Sequence, residues 1–423
     1  LKKVLIISYY YPPANFAGSY RIQAWANELL LLDFKPIVVT RHWNANCTDF
    51  TSISDQNSVS FSLENQVEVY RVPYKGTFRD KLKKKQVNLF GLEKIFSFFN
   101  LFFSIFILKL NPAYSLYRQA EEILKNNPDI RIVVTSGRPF YQFQYVSKLK
   151  SKFPYISCIG DYRDPWNTNT NINSSVKRKF FKWFEKSVEK RTTNSFSAIT
   201  TCSEGFKRNI SLLIKDKPIY VITNGFNSFN TQSNINKQTN KFEIAFIGSL
   251  YENQMIETFL IPLINSSISK KIKIIFYGIS NQPEQKKRII KIIQNTDLET
   301  EVKPWMKKNE LLKNVINHDA FLLCGLKTQK GRHTAKFFDY LSFKKNIILC
   351  PSDEDVLENE IKRLKIGKTL PNEDAVTNWI LELNDNNFVW PFIGNLDEIE
   401  KFTYKNQVKK LADIINYCLD DKV

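Results

Sequence analysis

The sequence predicts an α/β protein built from two doubly wound domains, and three observations carry that prediction. Short β-branched runs alternate with amphipathic segments from one end to the other; the rhythm stops once, in the polar stretch NSFNTQSNINKQTNK (227–241); and it then restarts. Alternation of this kind implies mainly parallel strands, crossed over by helices and covered on both faces. The length of 423 residues accommodates two domains of ~100–200 residues each, so the pause reads as a linker.

In the first half the strands read KVLIIS (3–8), PIVVT (36–40), VEVYRV (67–72), IRIVVTS (130–136), YISCIG (155–160), SAITTCS (197–203) and PIYVIT (218–223). The first leads through SYYYPPANFAGSYR (8–21) into a helix, marked by the spacing of Ala24, Trp25, Leu29 and Leu32. After the linker come FEIAFIGS (242–249), IKIIFYG (272–278), DAFLLCG (319–325) and NIILCP (346–351). No repeat at a period of about 20–50 residues is visible, which sets solenoids and propellers aside.

Composition narrows the class. With 43% hydrophobic residues and 33 Phe the chain can bury large cores. Its six Cys are scattered without CxxC or CxxH spacing, the pattern of buried free thiols in a reducing compartment. A formal charge of +19 calls for a negatively charged partner, whether nucleic acid, anionic lipid or nucleotide phosphate. VLIIS is broken at once by YYYPP, so no secretory leader is expected. The run IFSFFNLFFSIFIL (95–108) falls short of the ~20 residues that span a bilayer; it is either an interfacial segment or a buried helix.

In open parallel sheets, ligands bind beyond the carboxyl ends of the strands, where helix N-termini present unpaired amides. The residues to read are therefore Gly18, Ser19 and Arg21, then TSGRP (135–139), DYRDPW (161–166) and TCSEG (201–205) in the first domain. In the second they are GSLYEN (248–253), YGIS (277–280) and the segment GRHTAKFFDYLSFKKNIILCP (331–351). No GxGxxG follows Ile7 or Ile247, which argues against a dinucleotide oxidoreductase.

Taken in order, ISYYYPPANFAGSYRIQAWANEL, VVTSGRPFYQF, GDYRDPW, CSEGFKRNI before VITNGFN, FIGSLY and TAKFFDYLSFKKNIIL resemble a bacterial glycosyltransferase of family 4, across about residues 3–350. The resemblance implies the GT-B architecture: two facing Rossmann-like domains with mainly parallel sheets and an interdomain cleft. It implies an acceptor-binding domain at 1–228, a nucleotide-sugar-binding domain at 229–400 and a terminal helix at 401–423 returning to the first domain. The activity implied is retaining transfer from a nucleotide sugar, without metal or other cofactor, to a glycan, in many relatives a lipid-linked one.

Residue by residue, the resemblance places the donor diphosphate against Gly248 with Ser249 and against His333 with Thr334, and the nucleotide ribose on Asp339. A diphosphate needs close backbone approach and amide donors, which fits these types. Where the family carries an Arg and a Lys after the first strand of the second domain, this chain has Leu250 and Gln254, and Gly331 stands where a Glu is usual. Lys336 and Arg332 are the replacements at hand for neutralising the leaving diphosphate; otherwise they are solvated surface cations. In the first domain Gly18 admits the diphosphate and sugar, Arg21 serves the acceptor or the phosphate, and Ser136 and Arg138 complete the acceptor pocket. Asp161 and Asp164 flank Arg163; either they orient or deprotonate an acceptor hydroxyl, or they brace the loop as an ion pair. The three His, at 42, 318 and 333, do not follow the strand where many relatives place a catalytic one. The DxD at Asp353-Glu354-Asp355 reads as helix capping ahead of metal binding.

VKRKFFKWFEKSVEKR (176–191) interleaves Phe180, Phe181, Phe184 and Val188 with Lys and Arg, as a basic helix lying on an anionic membrane would; its alternative is a helix packed on the sheet. The expected location is cytoplasmic, peripheral on the inner face of the cytoplasmic membrane. A GT-B enzyme of another reaction type, epimerase-like, is the competing function. A nucleic-acid binder is weaker, because the cations are dispersed over the α/β elements and no recognition module is present.

Overall fold

The computed structural model describes residues 1–45, 47, 52–76, 80, 108–167, 176–230, 240–306 and 308–420, with backbone alone at 176–182 and 308–309. Residues 95–107 of the Phe-rich run lie outside this set. The chain divides into two units: Leu1–Asn224 with the C-terminal segment from Tyr404, and Gly225–Thr403. The sequence reading puts the boundaries at 228 and 400.

Unit 1 holds an eight-stranded sheet of β1 (Lys2–Ser8), β2 (Phe34–Arg41), β3 (Ser60–Glu64), β4 (Val67–Val72), β5 (Ile132–Gly137), β6 (Ser157–Tyr162), β7 (Ala198–Thr201) and β8 (Ile219–Val221). Their order is β3-β4-β2-β1-β5-β6-β7-β8, with β3 antiparallel to β4 and the other pairings parallel. Val4 to Ile7 are fully buried, as a central strand covered on both faces requires. The helices are α1 (Ala17–Leu30), α2 (Tyr114–Asn126), α3 (Tyr141–Lys152), α4 (Val176–Thr193) and α5 (Glu204–Ser211). Ile22, Trp25, Ala26 and Leu29 recur at helical spacing on α1 and share a core with Val408, Leu411 and Ile415 of the C-terminal helix (Tyr404–Asp420). That helix is tied to the sheet by Ser157 Oγ, which donates to Cys418 O (2.9 Å), and by Gln407 Oε1, which accepts from Thr223 N (2.9 Å).

Unit 2 holds a parallel sheet in the order β11-β10-β9-β12-β13-β14. The strands are β9 (Phe242–Ile247), β10 (Ile272–Tyr277), β11 (Glu299–Lys303), β12 (Ala320–Leu323), β13 (Asn346–Leu349) and β14 (Gly367–Thr369). Its helices are α6 (Glu257–Ile264), α7 (Pro283–Ile293), α8 (Lys308–Val315), α9 (Ala335–Leu341), α10 (Val356–Leu364), α11 (Glu373–Asp385) and α12 (Leu396–Glu400). All six Cys are free, and all but Cys47 are buried.

Three strands go beyond the sequence reading. β3, β11 and β14 are edge strands or short polar ones (SFSLE, ETEVK, GKT), so they lack the apolar run that marks a buried strand. A further difference matters for function: β6 continues to Tyr162, so Asp161 is a buried strand residue and not part of a loop.

In each sheet the chain winds outward one way and then returns past its first strand. The crossing points lie between β1 and β5 in unit 1, and between β9 and β12 in unit 2. The crevices beyond those strand ends are where an open α/β sheet takes ligands.

Candidate functional site

In unit 1, the residues beyond β1 and β5 surround a deep ion pair. Arg21, with no exposure, reaches from α1 to Asp161 on β6: Nε donates to Oδ2 (3.2 Å) and Nη2 to Oδ1 (2.9 Å). The remaining guanidinium hydrogens go to Thr223 O (2.8 Å), Asn224 Oδ1 (3.2 Å) and Ile222 O (2.8 Å), and the group lies 4.4 Å from the Trp25 ring centroid. Asp161 also accepts from Ser136 Oγ (2.8 Å) and Thr200 Oγ1 (2.9 Å). Burial works against the Arg21 charge, and the adjacent carboxylate outweighs it, leaving the guanidinium more firmly protonated than usual.

This arrangement corrects three expectations. Arg21 and Ser136 were expected to meet an acceptor, and Asp161 to orient or deprotonate it. All three are buried and bonded to one another, so no polar atom of the ion pair is left for a substrate. Asp161 is an internal brace, paired with the distant Arg21 and not, as the alternative reading had it, within the loop beside Arg163.

The half-buried residues above it differ. Asp164 Oδ2 lies 3.6 Å from Arg163 Nε, a loose pair at the segment's outer side. Arg163 spreads its guanidinium 5.3 Å from the Tyr10 ring centroid and crosses Gly18, where a Cβ would come within 1.8 Å of Nη1. Arg138 is exposed and donates to Pro165 O (3.4 Å). Gly18, Arg138, Arg163 and Asp164 thus belong to the same rim. Sequence reasoning gave Arg163 no role of its own; its signal was its place between two carboxylates in DYRDPW.

A second cation escaped notice altogether. Arg41, 1% exposed, packs 3.8 Å from the ring centroids of both Trp43 and Tyr74 and donates to the Tyr9 hydroxyl (2.5 Å). Its partners come from three separate segments, so no local pattern marks it.

In unit 2 the chain leaves β9 through Gly248, with φ of 86°. A side chain would be strained there, and a Cβ would also come within 3.0 Å of Lys336 Cε. Gly278, at φ 97°, closes the neighbouring strand end; its Cβ would lie 3.1 Å from Gly248 Cα. The two glycines therefore let two strand ends approach backbone to backbone.

Lys336 extends from α9 into this place. Its ammonium donates to Ser249 O (2.6 Å) and sits 4.2 Å from the Phe246 ring centroid. No carboxylate pairs with it among the described residues, and desolvation pushes its pKa down to about 8, with the Cys324 thiol opposing weakly. The positions that carry Arg and Lys in the resembling family are taken up otherwise. Leu250 is in the core, and Gln254 donates to Cys324 O (2.7 Å) while accepting from Tyr251 N (3.0 Å).

The other expected donor residues flank Lys336. Thr334 occupies the N-cap position of α9 in an extended conformation, and its enclosed Oγ1 has no hydrogen-bond partner among the described residues. His333 packs on Phe337 and Phe338, with centroids at 5.9 and 5.7 Å. Arg332 is turned to Gln329 Oε1, and Asp339 is half-buried one turn beyond Lys336 on the same helix. Beside them the loops after β9 and β10 open a groove of about 590 Å³, lined by Tyr251, Glu252, Asn253, Gln282 and Glu284. Its two carboxylates make it unfit for a diphosphate.

The DxD segment is accounted for locally. Asp353 accepts from the amides of Leu357 and Glu358 (both 3.0 Å) at the start of α10, Glu354 pairs with Lys327 (2.7 Å), and Asp355 accepts from Gly331 N. Among the described residues no three metal-competent side chains converge.

No family model and no curated protein matches the chain. Solved structures do. The sucrose-phosphate synthase of Thermosynechococcus elongatus matches with a TM-score of 0.68 at 11% identity, covering 100% of both chains. HepE of Anabaena, in complex with UDP, matches at 0.62 and 12%, covering 98% of this chain and 100% of that one. WaaG, described as a glycosyltransferase involved in lipopolysaccharide biosynthesis, matches at 0.58 and 12%, covering 97% and 99%. Likeness at these identities is likeness of fold: the chain has the GT-B fold, made of two Rossmann-like units.

Proposed function

We propose that the chain is a glycosyltransferase that takes its sugar from a nucleotide-sugar donor, and that unit 2 holds the donor diphosphate at Gly248, Ser249 and Lys336. One observation carries this reading: at the strand end facing the crossing point of the sheet, Lys336 places an ammonium, with no counter-carboxylate among the described residues, against a glycine whose missing side chain makes room for it. A departing nucleoside diphosphate gains negative charge in the transition state, and a fixed cation in a poorly solvated place stabilises that charge. Thr334, His333, Arg332 and Asp339 complete the donor side. HepE, of the same fold, was solved with UDP and with UDP-glucose, which supports a nucleotide-sugar ligand.

The finer reading is retaining, metal-independent transfer to a lipid-linked glycan of the cell surface by a family 4 enzyme. In unit 1, Asp164 replaces Asp161 as the carboxylate offered to an acceptor hydroxyl, with Arg138 and Arg163 beside it and Gly18 making room for the Arg163 guanidinium. Attachment to the inner face of the cytoplasmic membrane is favoured by Trp183, 65% exposed on the basic helix α4, and by the charge of +19.

A panel of nucleotide sugars, scored by thermal shift and by donor hydrolysis, tests the donor assignment. One of them should raise the melting temperature of the parent and not that of Lys336→Ala, with Asp339→Ala weakened. If none binds the parent, the assignment fails.

A further inference from the structure

Glu189 of α4 has no exposure, and its Oε2 accepts from Asn167 Nδ2 at 3.0 Å. The Asn167 backbone amide faces the same carboxyl, whose Oε1, like the neighbouring Tyr162 hydroxyl, has no hydrogen-bond partner among the described residues. Among the described residues no cation is paired with it. Asn167 and Tyr162 bracket the segment that carries Arg163 and Asp164, and they point inward while those two stand at the rim. The segment is pinned by Asp161 in its ion pair, by Trp166 stacked on Phe140 (4.8 Å, 2°), and by Asn167 on Glu189. Only the last anchor is a carboxyl with no counter-charge.

We infer that Glu189 is a proton-operated positioning residue: as the neutral acid it holds Asn167 in place beside the buried Tyr162, and with it Arg163 and Asp164, and on losing its proton it loosens the 162–167 segment. An ionised carboxylate without a cation is costly in a dry site, and the least disruptive relief is to let water in. Asn167, itself 8% exposed, is the cover that must move.

The electrostatics agree. Burial pushes the Glu189 pKa up to about 7, Asn167 and the nearby Tyr162 hydroxyl pull it partly back, and Glu185, one turn earlier on the same helix, raises it. The titratable groups facing it are therefore Tyr162 from β6 and Glu185 from α4, and burial holds the Tyr162 hydroxyl well above its ordinary value. A raised carboxyl pKa means that the native state binds the extra proton between 4.5 and about 7. Stability falls as pH climbs through that window and stays lower above it.

The positioning itself assumes no activity; its effect on a reaction rate rests on the transferase reading. Hydrogen exchange of the 162–167 segment in the full chain, at about pH 6 and about pH 8 with intrinsic rates corrected, tests it. Protection should fall by roughly tenfold in the parent, as about one unit of titration implies, and should be equal at both pH values in Glu189→Gln, which keeps the neutral shape. Equal protection in the parent, or the same fall in the variant, overturns the inference. Should Glu189→Gln fail to fold, the parent decides alone: a protonated-carboxyl infrared band present at about pH 6 and gone at about pH 8 supports it, and its absence at the lower pH refutes it. Lack of transfer from any nucleotide sugar would remove the transferase reading and leave the exchange result standing.

Discussion

At the strand ends of unit 1 the cation Arg21 has every N–H group occupied by this chain, with a carboxylate in bidentate contact; at those of unit 2 the cation Lys336 has a single carbonyl and the face of a ring. Arg21 starts in the second turn of α1 and Lys336 in the first turn of α9, each after a loop that leaves a strand. One is a closed circuit that fixes β6, α1 and the 222–224 turn to each other. The other is an open valence. A charge neutralised within the fold is scaffold, and a half-buried charge with no counter-carboxylate among the described residues is where a ligand's charge belongs.

That contrast can be broken first at its most rigid point. Arg21→Met leaves Asp161 buried and uncompensated, and should lower unfolding free energy by about 3–5 kcal/mol in urea titration. A loss below about 1 kcal/mol would mean that the pair is not the brace described. Next, Gly248→Ala must hold an alanine at a φ of 86° and displace Lys336; about 1–2 kcal/mol should be lost. Asp353→Ala removes the cap of α10 and should cost about 1 kcal/mol, with nucleotide affinity unchanged; a loss of binding would instead tie the acidic segment to the ligand. The smallest effect is expected for Lys336→Met, within about 0.5 kcal/mol in stability, since no ion pair is broken. A large loss there would turn Lys336 into scaffold and erase the difference between the two rims.

Much of the fold was legible because buried parallel strands write themselves as apolar runs: VLII, IVVT, IAFI and NIIL all became central strands. The edge strands SFSLE, ETEVK and GKT were not legible, because their residues answer to solvent on one side. At the site, glycines were easy to find and partnerships were not. Gly18 and Gly248 stand where the strand ends demand close approach, whereas Arg21 finds Asp161 140 residues away and Lys336 reaches Ser249 87 residues away. Asp161 was misplaced because β6 continues past the apolar run YISCIG, two residues further than hydrophobicity alone marks. Glu189 looked like one more charge on a basic helix, and only the packing of Tyr162 and Asn167 sets it apart.

The central claim is that the Lys336 ammonium of unit 2, which has no counter-carboxylate among the described residues, receives a nucleoside diphosphate, and calorimetric titration with uridine, guanosine and adenosine diphosphates measures it directly. For whichever binds the parent, Lys336→Met should weaken affinity by roughly 10–100-fold at about pH 7, the range of a charged hydrogen bond. Because the free ammonium has a pKa of about 8, parent affinity should fall as pH rises through that value, while the variant stays flat. Equal affinity of parent and Lys336→Met, with no pH dependence in either, would contradict the account.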